Sequence, residues 1–174
     1  MRKIVLQLAV SLDGFIEDAK GSYDWCFTDG DYGMKDFLNR VDTLIMGRKT
    51  YEVMLSMGNQ GMPGFPKLKE YVFSNTLTKL EGERTLVNTN VEETIKQLKN
   101  ESGKDIWLFG GATLVSFLIR HSFIDELILA VHPILLGSGK PLFQPYDKRI
   151  KLKLLNNKEY PNGLVMLTYE VKND

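Results

Sequence analysis

Two stretches of this sequence end an apolar run in glycine and open a helical pattern at the next residue. They are DTLIMG-RKTYEVM, residues 42–54, and DIWLFGG-ATLVSFLIR, residues 105–120. A short apolar run that hands over directly to a helix reads as a strand covered on both faces, as in a parallel sheet with crossover helices. The rest of the chain repeats that alternation. KIVLQLAVS ends at the turn signal LDG, and FIED continues that strand or forms a hairpin arm. MKDFLNRV places Met34, Phe37, Leu38 and Val41 on one helix face. KEYVFSN and RTLVNTN read as strands, and GNQGMPGFP and GSGKPLF as loops. NVEETIKQLKNESG is a helix that Asn90 can cap and Gly103 can end. DELILAVHPIL is a strand. KLKLLNNKEYPNGLVMLTYEV is a hairpin turning at Pro161-Asn162-Gly163, with its last strand expected at the sheet edge. These readings predict one α/β domain over residues 1–174, built on a mostly parallel sheet with an antiparallel C-terminal hairpin.

Composition narrows the function. Twenty-two basic and 22 acidic residues cancel, so no net field favours nucleic acid or an anionic membrane. One cysteine, Cys26, cannot close an intrachain disulfide and suits a reducing compartment such as the cytoplasm. With only His121 and His132 to add, a structural metal cluster is not expected. The N-terminal apolar run is short, contains Gln7, and reads as a strand rather than a signal peptide.

The chemistry-bearing residues fall where strands end. Gly47, Arg48, Lys49 and Thr50 open a helix, whose first N–H groups lack internal partners and favour an anion. Gly47 permits close approach, Thr50 offers a hydroxyl, and Arg48 can grip a phosphate with two parallel hydrogen bonds. A glycine turn with two solvated cations would leave the same residues. Gly110 and Gly111 followed by Thr113 repeat the arrangement, and the polar Ser74-Asn75 after YVF again falls at a strand's carboxyl end. Three such ends in one sheet would line a single crevice. GSGKP is not a P-loop, since Ile134 and Pro141 occupy the positions of its first glycine and its hydroxyl residue. No GxGxxG follows the first strand. His132, in an apolar strand, reads as a packed or hydrogen-bonded histidine.

The ordered set LAVSLDGFI, LIMGRKTYE, VFSN and IWLFGGATLVSFLI…IDELILAVHPILLGSGKPLF resembles the dihydrofolate reductase-like superfamily. The resemblance spans roughly residues 2–172 and is greatest to the reductase domain of riboflavin biosynthesis and its stand-alone relatives. It implies a three-layer α/β/α fold with about eight strands, NADPH bound across the strand ends, and a homodimer. Ala9 would bond the nicotinamide carboxamide through its backbone, and Asp13, Gly14 and Ile16 would shape the loop above it. Gly47, Arg48, Lys49 and Thr50 would hold phosphates, Ser74 and Asn75 the adenosine 2′-phosphate, and Gly110, Gly111, Ala112 and Thr113 the pyrophosphate. The resemblance also implies a cis peptide between Gly110 and Gly111. Counting back from Gly47, Asp31 is the equivalent of the catalytic carboxylate, with Asp36 and Asp29 as rivals, although Asp31 could equally cap a helix. Trp25, Phe27 and Phe37 are candidates to stack on a substrate ring. Leu68 stands where folate enzymes place an arginine for the glutamate tail, so a smaller pyrimidine- or pterin-like ring fits better. A dihydrofolate reductase and a non-catalytic NADP-binding protein are the alternatives.

Overall fold

The computed structural model describes residues 1–58 and 65–172. Most of the expected GNQGMPGFP loop lies outside the described residues. The elements, in chain order, are β1 (Ile4–Ser11), β2 (Phe15–Asp18), α1 (Met34–Arg40), β3 (Val41–Gly47), α2 (Arg48–Ser56), β4 (Lys69–Phe73) and β5 (Arg84–Val87). Then follow α3 (Val91–Asn100), β6 (Asp105–Gly110), α4 (Ala112–Arg120), β7 (Glu126–His132), β8 (Gly139–Pro141), β9 (Lys151–Glu159) and β10 (Val165–Lys172).

Eight strands form one sheet in the order β5-β4-β3-β6-β1-β7-β10-β9. The first six run parallel, and β10 joins β7 and β9 antiparallel. Both faces of the parallel part are covered, which is why β1, β3 and β6 read as continuous apolar runs. On one face α3 and α4 bury Ile95, Leu98, Leu114, Val115 and Leu118 against Leu6, Ile45 and Leu108. On the other, α1 and α2 bring Phe37, Leu38 and Tyr51 onto Val5, Met46, Val72 and Trp107. Phe37 meets Trp107 edge to face at 5.3 Å, so it is a core residue and not a substrate stacker.

Four local expectations are corrected. The last strand is not the edge: β10 lies inside and β9 forms the edge, exposed along its whole length, because neither helical layer reaches that far. The GSGKPLF segment is not all loop, since Gly139–Pro141 pairs with β2 in a separate two-stranded sheet. Asn90 precedes α3 but its side chain makes no capping bond: its backbone is left-handed, with φ 52°, rather than in the extended form that aims a cap at the first turn. The helix ends at Asn100, before Gly103, which instead lies against the Asp42 carboxylate and the Arg2 guanidinium.

Charges gather where the parallel strands begin. Arg40 bonds Glu126 at 2.7 Å and Asp105 at 2.6 Å, and Lys3 reaches Glu126 at 3.5 Å. Arg2 pairs with Asp42, and Lys99 with Asp125 at 2.5 Å. The Glu126 side chain is only 5% exposed, so its partners offset the cost of burying its charge.

Candidate functional site

The opposite ends of the same strands carry the predicted site. Gly47 pairs with Phe73 and Met46 with Gly110, so β4, β3 and β6 finish side by side. From there the chain leaves as the Ser74 turn, as α2 and as α4. The two glycine junctions face each other: a Cβ on Gly111 would lie 3.5 Å from Thr50 Oγ1 and 4.0 Å from Gly47 Cα. A Cβ on Gly47 would stand 3.8 Å from the Gly110 carbonyl oxygen. Neither helix has a side-chain cap, which leaves first-turn amides at this cradle available to an anion. The Gly110–Gly111 peptide is trans, not cis as expected. The chain turns into α4 by a different route, with φ 125° at Gly110 and 64° at Gly111, values that residues with a Cβ rarely adopt.

Arg48 and Lys49 are exposed on the first turn of α2, and Arg48 pairs with Glu52 at 2.8 Å. Thr113 is exposed, whereas the Ala112 side chain is buried, leaving Ala112 only its backbone to offer. Ser74 Oγ accepts from the amides of Thr76 (3.2 Å) and Leu77 (3.1 Å), closing the turn that displays Asn75. The Ser74 amide bonds the Val87 carbonyl at 3.0 Å, which carries the crevice on toward β5. A cavity of about 710 Å³ lies between the start of α3 and α4, lined by Asn90, Val91, Glu92, Glu93, Lys96 and Phe117. Sequence reasoning missed this cavity. Phe117 stands one turn from Thr113 and so shares its side of α4.

Ala9 lies half-buried near the end of β1, paired with Ala130. Beyond it, Ser11 Oγ donates to Asp13 at 2.6 Å. The Asp13 carboxylate also accepts from the amides of Gly137 (2.8 Å) and Leu136 (3.2 Å). These bonds, the Ser11 hydroxyl first, hold Asp13 below the ordinary carboxylate range, against the opposing effect of desolvation. The Gly14 carbonyl accepts from Leu142 at 2.9 Å, and half-buried Ile16 packs on the main core. Asp13 and Gly14 thus tie the β1–β2 turn to the 136–142 segment, and Ile16 seats β2 on the core.

Trp25 and Phe27 come together around His132, with ring centroids 5.2 and 4.9 Å from the imidazole. The Trp25 indole N–H is buried and has no acceptor among the described residues. Burial, with Asp24 adding to it, pushes the neighbouring Cys26 thiol up to about 11. The Asp31 carboxylate accepts from the amides of Gly33 and Lys35, both at 3.1 Å, at the approach to α1. Asp29 bonds the Tyr32 hydroxyl, and Asp36 sits in the first turn of α1. Leu68 is half-buried against the second core cluster. Among the described residues no group of histidine, cysteine or carboxylate side chains is arranged to hold a metal, and no helix is long and apolar enough to cross a membrane.

The family model of the RibD C-terminal domain matches residues 2–166. Uncharacterized protein YyaP of Bacillus subtilis is 41% identical over 177 residues, covering 97% of this chain and 94% of that protein. A 5-amino-6-(5-phosphoribosylamino)uracil reductase of Buchnera aphidicola is 35% identical over 72 residues, covering 41% of this chain and 33% of that enzyme. Among solved structures, a Shewanella sp. PV-4 protein named provisionally for riboflavin biosynthesis superposes with a TM-score of 0.86 at 29% identity, covering 98% and 99% of the two chains. The dihydrofolate reductase of Enterococcus faecalis, solved with NADP(H), matches with a TM-score of 0.68 at 19% identity over 99% and 97% of the chains, a likeness of fold.

Proposed function

The chain belongs to the RibD C-terminal domain family, and from that premise we propose that it is an NADPH-dependent reductase acting on a small pyrimidine- or pterin-like heterocycle. The reaction resembles that of 5-amino-6-(5-phosphoribosylamino)uracil reductase. The observation that carries this reading is the cradle in which Gly47, Thr50 and Gly111 meet. It joins two uncapped helix starts over a gap that a side chain at Gly111 would narrow. That arrangement suits a pyrophosphate.

In this reading Gly47, Thr50, Gly110, Gly111, Ala112 and Thr113 hold the pyrophosphate through backbone amides and hydroxyls. Arg48, Lys49, Ser74 and Asn75 recognise the adenosine 2′-phosphate, which favours NADPH over NADH. The cavity beside Phe117 takes the adenine. The Ala9 backbone orients the nicotinamide, and the Asp13–Gly14–Ile16 turn closes over it. NADPH, when bound, supplies the hydride. Trp25 and Phe27 offer flat surfaces to the heterocycle and keep bulk water from it. The accompanying proton is proposed to come from solvent through a water that Asp31 orients; both carboxylate oxygens of Asp31 accept from amides, and each keeps a lone pair for that water. The homodimer we propose uses β9, the exposed edge, where Leu152, Leu154 and Leu155 stand 43–47% exposed.

Fluorescence titration with NADPH and NADH tests the cofactor site, with NADPH expected to bind roughly tenfold or more tightly. NADPH oxidation is then followed with an aminouracil ribosyl phosphate, a dihydropterin and dihydrofolate. Turnover of either of the first two supports the reading, and turnover of dihydrofolate alone makes the chain a dihydrofolate reductase. Binding of NADPH without turnover of any member of the panel leaves a cofactor-binding protein.

A further inference from the structure

The aromatic stretch that holds Trp25 and Phe27 is fastened to the sheet through a histidine side chain. His132 is the last residue of β7, paired with Ser11 of β1 and 3% exposed. Its Nε2 accepts from the backbone N–H of Phe27 at 3.1 Å. Its Nδ1 lies 2.9 Å from the Ala130 carbonyl oxygen. A carbonyl only accepts and an amide N–H only donates, so the pair of bonds fixes one neutral tautomer, with hydrogen on Nδ1 and the lone pair on Nε2. A proton added to Nε2 sets two N–H groups against each other and removes the bond to the loop. The Trp25 and Phe27 rings pack on the same imidazole and shield it from water.

We propose that His132 is a positioning residue: in its neutral Nδ1–H form it anchors the Trp25–Phe27 stretch of the loop to the end of β7, and its protonation releases that stretch. Where this wall meets a substrate, the inference rests on the reductase reading; the anchor itself does not. Burial opposes protonation of His132, so the anchored state extends below the usual histidine range. The titratable groups on the segments around it are Tyr23, Asp24, Cys26 and Asp29 on the loop and Asp13 beyond Ser11 of β1. Asp13 is already engaged by Ser11, Leu136 and Gly137. The adjoining end of β10 meets β7 with Val165, opposite Val131.

The test is NMR of the full chain. In the wild type, long-range ¹⁵N–¹H correlation of the imidazole is expected to show the Nδ1–H form. Exchange protection of the Phe27 amide is expected to fall as the imidazole takes up a proton. His132→Gln places an acceptor near the Nε2 position and is expected to keep that protection. His132→Asn and His132→Phe are expected to lower it roughly tenfold, the scale of one lost hydrogen bond, while the Ile128 amide within β7 keeps its own. An Nε2–H tautomer in the wild type overturns the proposal without recourse to any variant. So does Phe27 protection that is equal in wild type and a folded His132→Phe. In turnover, a KM for the heterocycle raised in His132→Phe and restored in His132→Gln, at little-changed kcat, ties the anchor to the substrate. Loss of Phe27 protection with KM unmoved upholds the anchor and removes the loop from the substrate site.

Discussion

Replacing Gly111 with alanine separates what the glycine does for the fold from what it does for a ligand. At φ 64° and ψ 127° a residue with a Cβ is strained, at a cost of about 1–3 kcal/mol. For a chain of this size, each kcal/mol lowers Tm by about 2–4 °C, so a fall of roughly 2–12 °C is expected. The new methyl meets Thr50 Oγ1 at 3.5 Å and Gly47 Cα at 4.0 Å, ordinary contacts that add no clash of their own. It does occupy the gap into which a phosphate would have to come. Gly110→Ala is the control: φ is also positive there, at 125°, but a Cβ meets nothing within 4 Å. Both variants should therefore lose stability to a similar degree in thermal or urea unfolding. NADPH titration should show Gly111→Ala weakened at least tenfold more than Gly110→Ala, a difference of about 1.4 kcal/mol or more. NADPH affinity in Gly111→Ala within twofold of the wild type, at the expected loss of Tm, would refute the cradle as the pyrophosphate site.

Arg48→Ala should leave stability nearly unchanged, because the exposed Arg48–Glu52 pair contributes only about 0.3–0.5 kcal/mol. It should weaken NADPH but not NADH, measured by the same titration; equal weakening of both moves Arg48 to the pyrophosphate. The lowered pKa of Asp13 means that its bonds to Ser11, Gly137 and Leu136 contribute fully above the ordinary carboxylate range and are lost as pH falls through the folded-state value. Amide exchange at Gly137 should therefore speed up, relative to its intrinsic rate, only in that acid window, and Asp13→Asn should flatten the dependence. Leu154→Lys, on the edge strand, should shift a dimer toward monomer in light scattering, and an unchanged mass would move the interface away from β9.

The strand-to-helix junctions were legible because they depend on local signals: apolar runs bounded by glycine, and helical spacing immediately after. That was enough to bring Gly47, Thr50, Ser74 and Gly111 to one edge of one sheet. What stayed hidden depends on neighbours distant in sequence. Nothing local in LKLLNNKE marks it as the edge, because its exposure follows from where two helical layers stop. Asn90 looks like a cap by residue type, yet with its backbone left-handed the side chain makes no capping bond. Gly103 looks like a helix stop, but its neighbours are Asp42 and Arg2, far away in the chain. Asp31 offered two readings, a catalytic carboxylate and a cap, and its bonds to the Gly33 and Lys35 amides are compatible with either. His132 was read as packed or hydrogen-bonded, and that description holds, but its partner at Phe27 could not be found without the fold.

The belt of Arg2, Lys3, Arg40 and Lys99 with Asp42, Asp105, Asp125 and Glu126 secures strand starts and the segments beside them, at the far rim from the crevice. Register is thus pinned on one rim, while recognition is left to turns on the other. Descendants of such a scaffold are free to exchange those turns, and with them the ligand that is met there, without renegotiating how the sheet assembles.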